Sequence, residues 1–266
     1  MDRRLALVTG ASAGIGAALA RIYASHGYDV ALTARRVDRL ARLGEEIRLR
    51  FGVETLSFPA DLAQAGAVDA ILEHLTAHGR VVDVLVNNAG YGLPGVFADT
   101  SWEEQAAFLQ VMLHAPTELA HKTLPGMVER RFGRILNVAS LAGLVPGAAG
   151  HTLYGAAKSY LVRFSQSLHL ENQQTGVHVT ALCPGFTFSE FHDVNGTREQ
   201  LSKATPQWLW MGPDEVAAAG YEAAEANRPV AVPGAPNKAI AAVAKTLPDD
   251  WALALMAWQG PRFRKL

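Results

Sequence analysis

The chain has 266 residues, of which 49% are hydrophobic, and this suffices for a single α/β domain with a sizeable core. Its 24 Lys and Arg residues nearly balance 25 Asp and Glu residues, and the net charge of −1 excludes an overall field that would attract nucleic acid or an anionic membrane. The single cysteine, Cys183, excludes an intrachain disulfide framework and a cysteine-rich metal site, so we expect no metal.

The amino terminus leads directly into an apolar run and shows no signal-like segment. No stretch of the chain is apolar for long enough to form a membrane span. We therefore expect a cytoplasmic protein without a transmembrane segment.

The first predicted element is a buried strand at 5–8, which ends in glycines and continues as a helix. Glycines allow close backbone approach, and the free N–H groups and dipole of a helix N-terminus favour an anion. The turn therefore predicts a phosphate site, although a plain strand-to-helix turn is the alternative for this pattern taken alone. The candidate contacts are Gly10, Ser12, Ala13, Gly14, Ile15 and Gly16.

Strand-like and helical segments alternate along the rest of the chain. Six further strands are predicted at 30–33, 53–58, 82–86, 134–139, 177–182 and 229–232. Amphipathic helices are predicted near 36–50, 64–78, 101–129, 154–174 and 213–225. This alternation predicts an α/β fold, a doubly wound parallel sheet with helices on both faces and ligands at the carboxyl ends of the strands.

The end of the second strand indicates the type of nucleotide. In a dinucleotide fold an acidic residue here bonds a free ribose 2′-hydroxyl, whereas arginine accepts a 2′-phosphate. Ala34 stands in place of the acid and is followed by Arg35 and Arg36. This favours NADP(H) over NAD(H), with a solvated basic start to the next helix as the alternative.

Polar residues also follow the third and fourth predicted strands. Asp61 and Leu62 follow the third, where the carboxylate could bond an adenine or cap the next helix. The fourth ends in Asn87, after which come Asn88, Ala89 and Gly90. Side-chain amides there can lock neighbouring loops, and the small residues leave room for a flat ring.

The fifth strand delivers Ser140 to the same edge, and the following helix carries Tyr154 and Lys158. Their spacing puts the phenol and the ammonium on one helix face, one turn apart. We expect the cation to lower the phenol pKa from about 10 by about 1–3 units, which favours Tyr154 as a proton donor and acceptor. Ser140 can hold a substrate oxygen beside it.

In their order and spacing these motifs resemble the short-chain dehydrogenase/reductase family over almost the whole chain. The matching residues are Thr9-Gly10-x-x-x-Gly14-x-Gly16, Asp61, Asn87-Asn88-Ala89-Gly90, Ser140, Tyr154-x-x-x-Lys158 and Pro184-Gly185. The resemblance implies one Rossmann-like domain over 1–266 with a seven-stranded parallel sheet. It also implies hydride exchange between a nicotinamide cofactor and a carbonyl or alcohol carbon.

The resemblance also implies roles for individual residues. Tyr154 transfers the proton, Ser140 orients the substrate oxygen, and Lys158 bonds the nicotinamide ribose and tunes Tyr154. Pro184, Gly185, Thr187 and Ser189 resemble the segment that holds the nicotinamide amide. The helices at 101–129 and 154–174 resemble the family's dimer-forming pair, so we expect a homodimer or homotetramer.

One position departs from the family pattern. A fourth catalytic residue, an asparagine, aligns with Met112, and a thioether is a poor substitute for an amide in relaying protons. Gln110 or His114 could replace it only by facing the same way, and we expect His114 to be structural.

An apolar substrate pocket is predicted above the nicotinamide. The residues expected to line it are Tyr91, Leu93, Leu141, Leu153, Phe186 and Trp208, with 188–210 as a substrate loop or lid. The alternative is a loop whose tryptophans pack on the core. The 237–266 extension has helical periodicity and a basic end, and it packs on the domain or a subunit partner, or touches a membrane surface.

Two classes of function follow from these residues. The first is an NADP(H)-dependent oxidoreductase acting on a hydrophobic ketone, aldehyde or secondary alcohol. The second is a non-catalytic NADP(H)-binding sensor or scaffold, motivated by Met112. A narrower enzymatic alternative is reduction of 3-oxoacyl-carrier-protein thioesters, with Arg130 and Arg131 attracting an acidic carrier.

Overall fold

The computed structural model describes residues 3–93, 95–190 and 205–263. The strands are β1 (Leu5–Thr9), β2 (Asp29–Ala34), β3 (Thr55–Pro59), β4 (Val84–Asn87), β5 (Gly133–Val138), β6 (Val177–Leu182) and β7 (Val230–Ala231). They form one parallel sheet in the order β3-β2-β1-β4-β5-β6-β7. All seven predicted strands are present, with ends shifted by at most a few residues.

Helices cover both faces of this sheet. They are α1 (Gly14–Ser25), α2 (Val37–Phe51), α3 (Ala67–Ala77), α4 (Trp102–Leu109), α5 (Ala115–Glu129), α6 (Thr152–Glu171), α7 (Pro213–Glu225), α8 (Ala235–Thr246) and α9 (Asp249–Phe263). The apolar residues of α1, α2 and α7 pack on one face of the sheet. Those of α3, α5 and α6 pack on the other. The predicted doubly wound α/β architecture is therefore confirmed.

The structure divides the single helix predicted at 101–129. A π-helical turn at Gln110–His114 separates α4 from α5, and the Ala115 amide donates to the Gln110 carbonyl across it. Pro116 explains the interruption, because proline has no N–H to donate to the Met112 carbonyl four residues earlier. The start of α4 follows the prediction: the Ser101 hydroxyl accepts from the Glu104 amide at 3.3 Å, which completes a capping box.

The predicted carboxyl-terminal extension folds into α8 and α9, separated at Leu247 and Pro248. Val243 and Trp251 on these helices are exposed, by 53% and 71% respectively. Among the described residues, no helix combines the length and apolar character needed to cross a bilayer. The central part of the predicted substrate loop, 191–204, lies outside the described residues.

Candidate active site

The glycine turn after β1 has a backbone that only glycine adopts easily. Gly10 and Gly14 have φ of 65° and 56°, in the left-handed region. A Cβ on Gly10 would lie 2.8 Å from the Ala89 Cα, and one on Gly16 would overlap the Asn88 amide nitrogen. Because α1 has no side-chain cap and no acidic residue in its first turn, its amino end is suited to an anion.

A hydrogen-bond network ties this turn to the end of β4. The Thr9 hydroxyl accepts from the backbone amides of Asn88 and Ala89, each at 3.0 Å. The Asn88 side chain donates to the Thr9 carbonyl at 2.9 Å and to the Gly10 carbonyl at 3.2 Å. The structure thus gives Asn88 the loop-locking role expected of an amide at this edge. Thr9 belonged to the recognised motif, but its hydroxyl was not among the predicted site residues.

At the end of β2, the two predicted arginines differ in environment. Arg36 donates to the Ser12 hydroxyl from Nε and Nη2, at 3.1 and 2.9 Å, and to the Glu190 carboxylate at 2.7 Å. Arg35 is exposed. Asp61 accepts from the Ala63 amide at 3.1 Å in a local turn. The next helix, α3, begins later, at Ala67, with Gly66 before it and no side-chain cap, so Asp61 does not cap it.

The segment after β6 lies over the glycine turn. The Pro184 carbonyl accepts from the Leu141 amide at 2.8 Å. The Thr187 hydroxyl donates to the Gly185 carbonyl at 3.2 Å. A Cβ on Gly14 would lie 3.0 Å from the Ser189 Cβ. The segment after β6 and the glycine turn are therefore in contact at Ser189 and Gly14.

Asn237 is a site-supporting residue that sequence reasoning missed. It is 3% exposed, and its amide donates to the Pro233 carbonyl at 2.9 Å. A Cβ on Gly185 would overlap its Oδ1, so Gly185 is required for this close packing. Its distance from Gly185 along the chain left no local signal by which to find it.

The structure brings Ser140, Tyr154 and Lys158 together at the carboxyl end of β5. Ser140 caps a short 3₁₀ turn at Leu141–Gly143, where its hydroxyl accepts from the Ala142 amide at 3.1 Å. A Cβ on Gly143 would lie 2.6 Å from the Lys158 carbonyl, so this turn packs tightly on α6. A side-chain hydrogen bond joins Ser140 to the Tyr154 phenol.

The expected lowering of the Tyr154 pKa by Lys158 is wrong for this structure. Burial raises the pKa of Tyr154 to about 12, and the hydrogen bond with Ser140 only partly offsets it. Burial likewise lowers the pKa of Lys158 to about 8. The Lys158 ammonium donates to the Val138 carbonyl at 2.7 Å and lies 5.7 Å from the centre of the Tyr154 ring. The Tyr154 pKa in this structure is therefore governed by burial and by Ser140 rather than by Lys158.

Apolar residues surround the Tyr154 side of the cleft. Tyr91, Leu93, Leu153 and Tyr154 pack around the buried cluster of Phe108, Met112 and Ala157. A cavity beside them is lined by Leu93, Gly95, Phe97, Thr100, Gly150, His151, Thr152, Leu153 and Tyr154.

The two tryptophans at the end of the predicted substrate loop, Trp208 and Trp210, take different positions. The Trp208 side chain, predicted to line the pocket, is 68% exposed and is not among the residues that line this cavity. Trp210 is 8% exposed instead, and its ring lies 5.4 Å from that of Phe186. Phe186 is thus held by packing on Trp210, a contact that the sequence did not reveal.

Met112 occupies an apolar setting within the π-helical turn. It is 1% exposed, and a Cβ on Gly90 would lie 2.9 Å from its sulfur. His114 is exposed, so it faces away from Met112 and does not take its place. The Asn87 Oδ1, on the same small cavity as Met112, is buried and has no hydrogen-bond partner.

Comparison with known proteins agrees with this geometry. The family model for short chain dehydrogenase matches residues 4–200. The chain belongs to this family. The NADP-dependent 3-hydroxy acid dehydrogenase YdfG of Salmonella typhi is 34% identical over 216 residues, which cover 80% of this chain and 85% of that protein.

Solved structures of family members give the same result. A short-chain dehydrogenase from Sphingobium yanoikuyae in complex with NADPH has a TM-score of 0.79 at 29% identity, covering 92% of this chain and 96% of that chain. A bulky-bulky ketone specific alcohol dehydrogenase from Comamonas testosteroni has a TM-score of 0.76 at 26% identity, covering 100% and 96%. The resemblance and the Rossmann-like fold expected from the motifs are confirmed, and the chain is an oxidoreductase of this family.

Proposed function

We propose that the chain transfers a hydride between NADP(H) and a hydrophobic ketone, aldehyde or secondary alcohol. The observation that carries this proposal is the Tyr154 phenol, hydrogen-bonded to Ser140 and one helical turn from the buried Lys158, beside an apolar cavity. Relatives described as NADP-dependent or as NADPH complexes support the cofactor. A relative described as specific for bulky ketones supports the substrate class.

The residues present fit a dinucleotide. The glycine turn packs on Asn88 and Ala89 too closely for a Cβ at Gly10 or Gly16, which fixes the turn beside the start of α1. The open amino end of α1 suits the pyrophosphate. Gly10, Ser12, Ala13, Gly14, Ile15 and Gly16 would hold that group. Arg35 and Arg36 would bind the 2′-phosphate, and Asp61 and Leu62 would contact the adenine. Ala89, Gly90, Pro184, Gly185, Thr187 and Ser189 would surround the nicotinamide, which when bound supplies or accepts the hydride.

The protein residues supply the proton. With a pKa of about 12, the Tyr154 phenol is protonated and neutral at pH 7. It can therefore act as a general acid that protonates a carbonyl oxygen during reduction. Ser140 hydrogen-bonds the same phenol and holds the substrate oxygen beside it. Lys158, whose ammonium lies 5.7 Å from the centre of the Tyr154 ring, would bond the nicotinamide ribose and place a positive charge near the phenolate left behind. In alcohol oxidation the phenolate takes the proton back.

The test is turnover of purified protein with NADPH and with NADH against ketones of graded size. We expect NADPH oxidation that is greatest with large apolar ketones. Binding of NADPH without turnover on any ketone, aldehyde or alcohol would favour the sensor or scaffold alternative. Failure to bind either nucleotide would overturn the proposal.

The carrier-protein alternative loses its structural support. Arg130 and Arg131 lie between α5 and β5, at the amino end of the strands, whereas the candidate site lies at the carboxyl ends. Arg130 also donates to the Val82 carbonyl at 2.9 Å and pairs with Asp83 at 3.3 Å. An acidic carrier attracted by these arginines would dock at the wrong edge of the sheet.

We also propose a homodimer or homotetramer that pairs α4, α5 and α6. Trp102 on α4 and Leu170 on α6 are 67% and 65% exposed, which is unusual for large apolar residues. Light scattering of the purified protein tests this, and a monomeric mass would overturn it.

A further inference from the structure

A carboxylate joins the two basic residues at the start of α2. Glu190 accepts from Arg36 at 2.7 Å and from Arg39 at 2.6 and 2.8 Å. It is separated from them in sequence by 154 and 151 residues. The two arginines lower the pKa of Glu190, so it is ionised at neutral pH. The segment after β6 is thereby fastened to α2 by a charged contact.

This contact lies at the adenosine end of the proposed cofactor site. Arg36 bonds both Glu190 and Ser12 of the glycine turn, whereas Arg39 bonds only Glu190 among the partners described. Arg36 is therefore placed where a ribose 2′-phosphate is expected, directly after β2. One nitrogen of the Arg36 guanidinium, Nη1, already donates to the Glu190 carboxylate.

The 2′-phosphate and the Glu190 carboxylate are alternative anions for the same guanidinium. A phosphate monoester carries up to two charges and three acceptor oxygens, so it replaces a single carboxylate on arginine. A cofactor with a free 2′-hydroxyl has no anion with which to displace Glu190. Displacing the carboxylate therefore costs binding energy only for the phosphorylated cofactor.

We propose that Glu190 is an internal competitor of the 2′-phosphate and thereby reduces the preference for NADP(H) over NAD(H). The proposal rests on the proposed function, since it assumes that the dinucleotide binds this cleft. It makes Glu190 a specificity-determining residue that lies outside the glycine turn and outside the end of β2.

The experiment measures dissociation constants by fluorescence titration for NADPH, NADH and adenosine 2′,5′-bisphosphate. Wild type is compared with Glu190→Gln, which keeps the side-chain shape and removes the charge. Glu45→Gln is the matched control, because Glu45 is a carboxylate on α2, 54% exposed and paired with Arg48 at 2.7 Å. Since each half-exposed ion pair contributes little, we expect Glu190→Gln to tighten NADPH and the bisphosphate by about threefold to tenfold. We expect the dissociation constant of Glu190→Gln for NADH to stay within about twofold of wild type. The same limit should hold for all three ligands in the Glu45→Gln control.

Equal or weaker NADPH binding by Glu190→Gln, relative to the control, would overturn the proposal. Weaker binding would mean that Glu190 holds the arginines in place for the phosphate. If wild type binds NADPH but Glu190→Gln has the same ratio of NADPH to NADH dissociation constants as wild type, only this inference fails. If wild type binds neither nucleotide, the proposed function fails with it. The bisphosphate lacks nicotinamide, so its response separates an effect at the adenosine end from any change near Tyr154.

Discussion

The two ends of the proposed cofactor site are controlled by different physics. At the nicotinamide end, Lys158 is buried and Tyr154 is half-buried. Burial moves their pKa values in opposite directions, to about 8 and about 12 respectively. At the adenosine end, Arg36, Arg39 and Glu190 retain 41%, 40% and 41% of their side-chain exposure and hold one another through ion pairs. Burial acts strongly on a single charge, whereas solvent weakens exposed pairs.

This difference separates the residues proposed for proton transfer from those proposed to select between NADP(H) and NAD(H). The protonation states that the proposed reaction needs depend on burial of Tyr154 and Lys158, so we expect them to be insensitive to surface charge and salt. The proposed preference for NADP(H) depends on half-exposed ion pairs that each contribute little, so we expect a single substitution to shift it.

Tyr154→Phe should have the largest effect. It removes the hydroxyl that we propose as the proton donor, so we expect turnover to fall by about 10²- to 10⁴-fold while NADPH binding persists. Tyr160→Phe is the control, since Tyr160 lies on the same helix but its hydroxyl contacts Thr117 at 2.9 Å. Steady-state kinetics with cofactor titration measures both. Comparable losses in the two variants would contradict an acid–base role for Tyr154.

Lys158→Met should reveal the cost of burying the ammonium. Lowering the Lys158 pKa from 10.5 to about 8 corresponds to about 3 kcal/mol of unfolding free energy. At pH 7 Lys158 is charged in both the folded and the unfolded state, so the folded wild type carries the full free-energy cost of burying the ammonium. Between pH 8 and 10.5 the unfolded chain binds more protons, so the stability of wild type rises relative to the variant.

Denaturant unfolding from pH 7 to 10.5 measures this change. Lys238→Met, at an exposed lysine on α8, serves as the control and should differ from wild type by a nearly constant amount. A wild-type-to-Lys158→Met difference that does not change over this pH range would show that burial does not govern the ammonium.

Gly16→Ala should destabilise the glycine turn by about 1–3 kcal/mol, because the added methyl group overlaps Asn88 and the Gly10 carbonyl. Gly155→Ala is the matched substitution, since its Cβ would meet nothing closer than the Ala142 oxygen at 3.8 Å. There we expect a gain of up to about 1 kcal/mol from helix propensity. Thermal unfolding of wild type and of both variants measures these changes in stability. A Gly16→Ala variant as stable as wild type would contradict the predicted overlap.

The smallest effect belongs to the arginines. Replacing Arg36 with Gln should weaken NADPH by about tenfold and leave NADH nearly unchanged, since only the phosphorylated ribose needs the guanidinium. Arg35→Asp tests the neighbouring assignment in the same assay. Arg48→Gln, on the same helix, should alter neither affinity. An unchanged NADPH to NADH ratio in both Arg35 and Arg36 variants would place the 2′-phosphate elsewhere.

The elements and the candidate catalytic trio were predictable because their signals are local. Apolar runs located the seven strands described, and the four-residue step from Tyr154 to Lys158 placed both on one helix face. The break at Gln110–His114 also has a local cause in Pro116, but its form as a π turn was not predicted. The positions of Trp208 and Trp210 depend on which of the two rings packs on Phe186.

The order of residues along the chain was enough to predict a parallel α/β sheet, a glycine turn between its first strand and first helix, and a serine, tyrosine and lysine at one sheet edge. Those properties follow from hydrophobic periodicity and from short sequence spacings, because the geometry of helices and strands is the same in every protein. Only the folded arrangement decided that Tyr154 is a weaker acid than a free phenol and that Glu190 reaches Arg36. Both depend on how much water remains around a charge and on contacts between segments far apart in sequence, which no local pattern encodes.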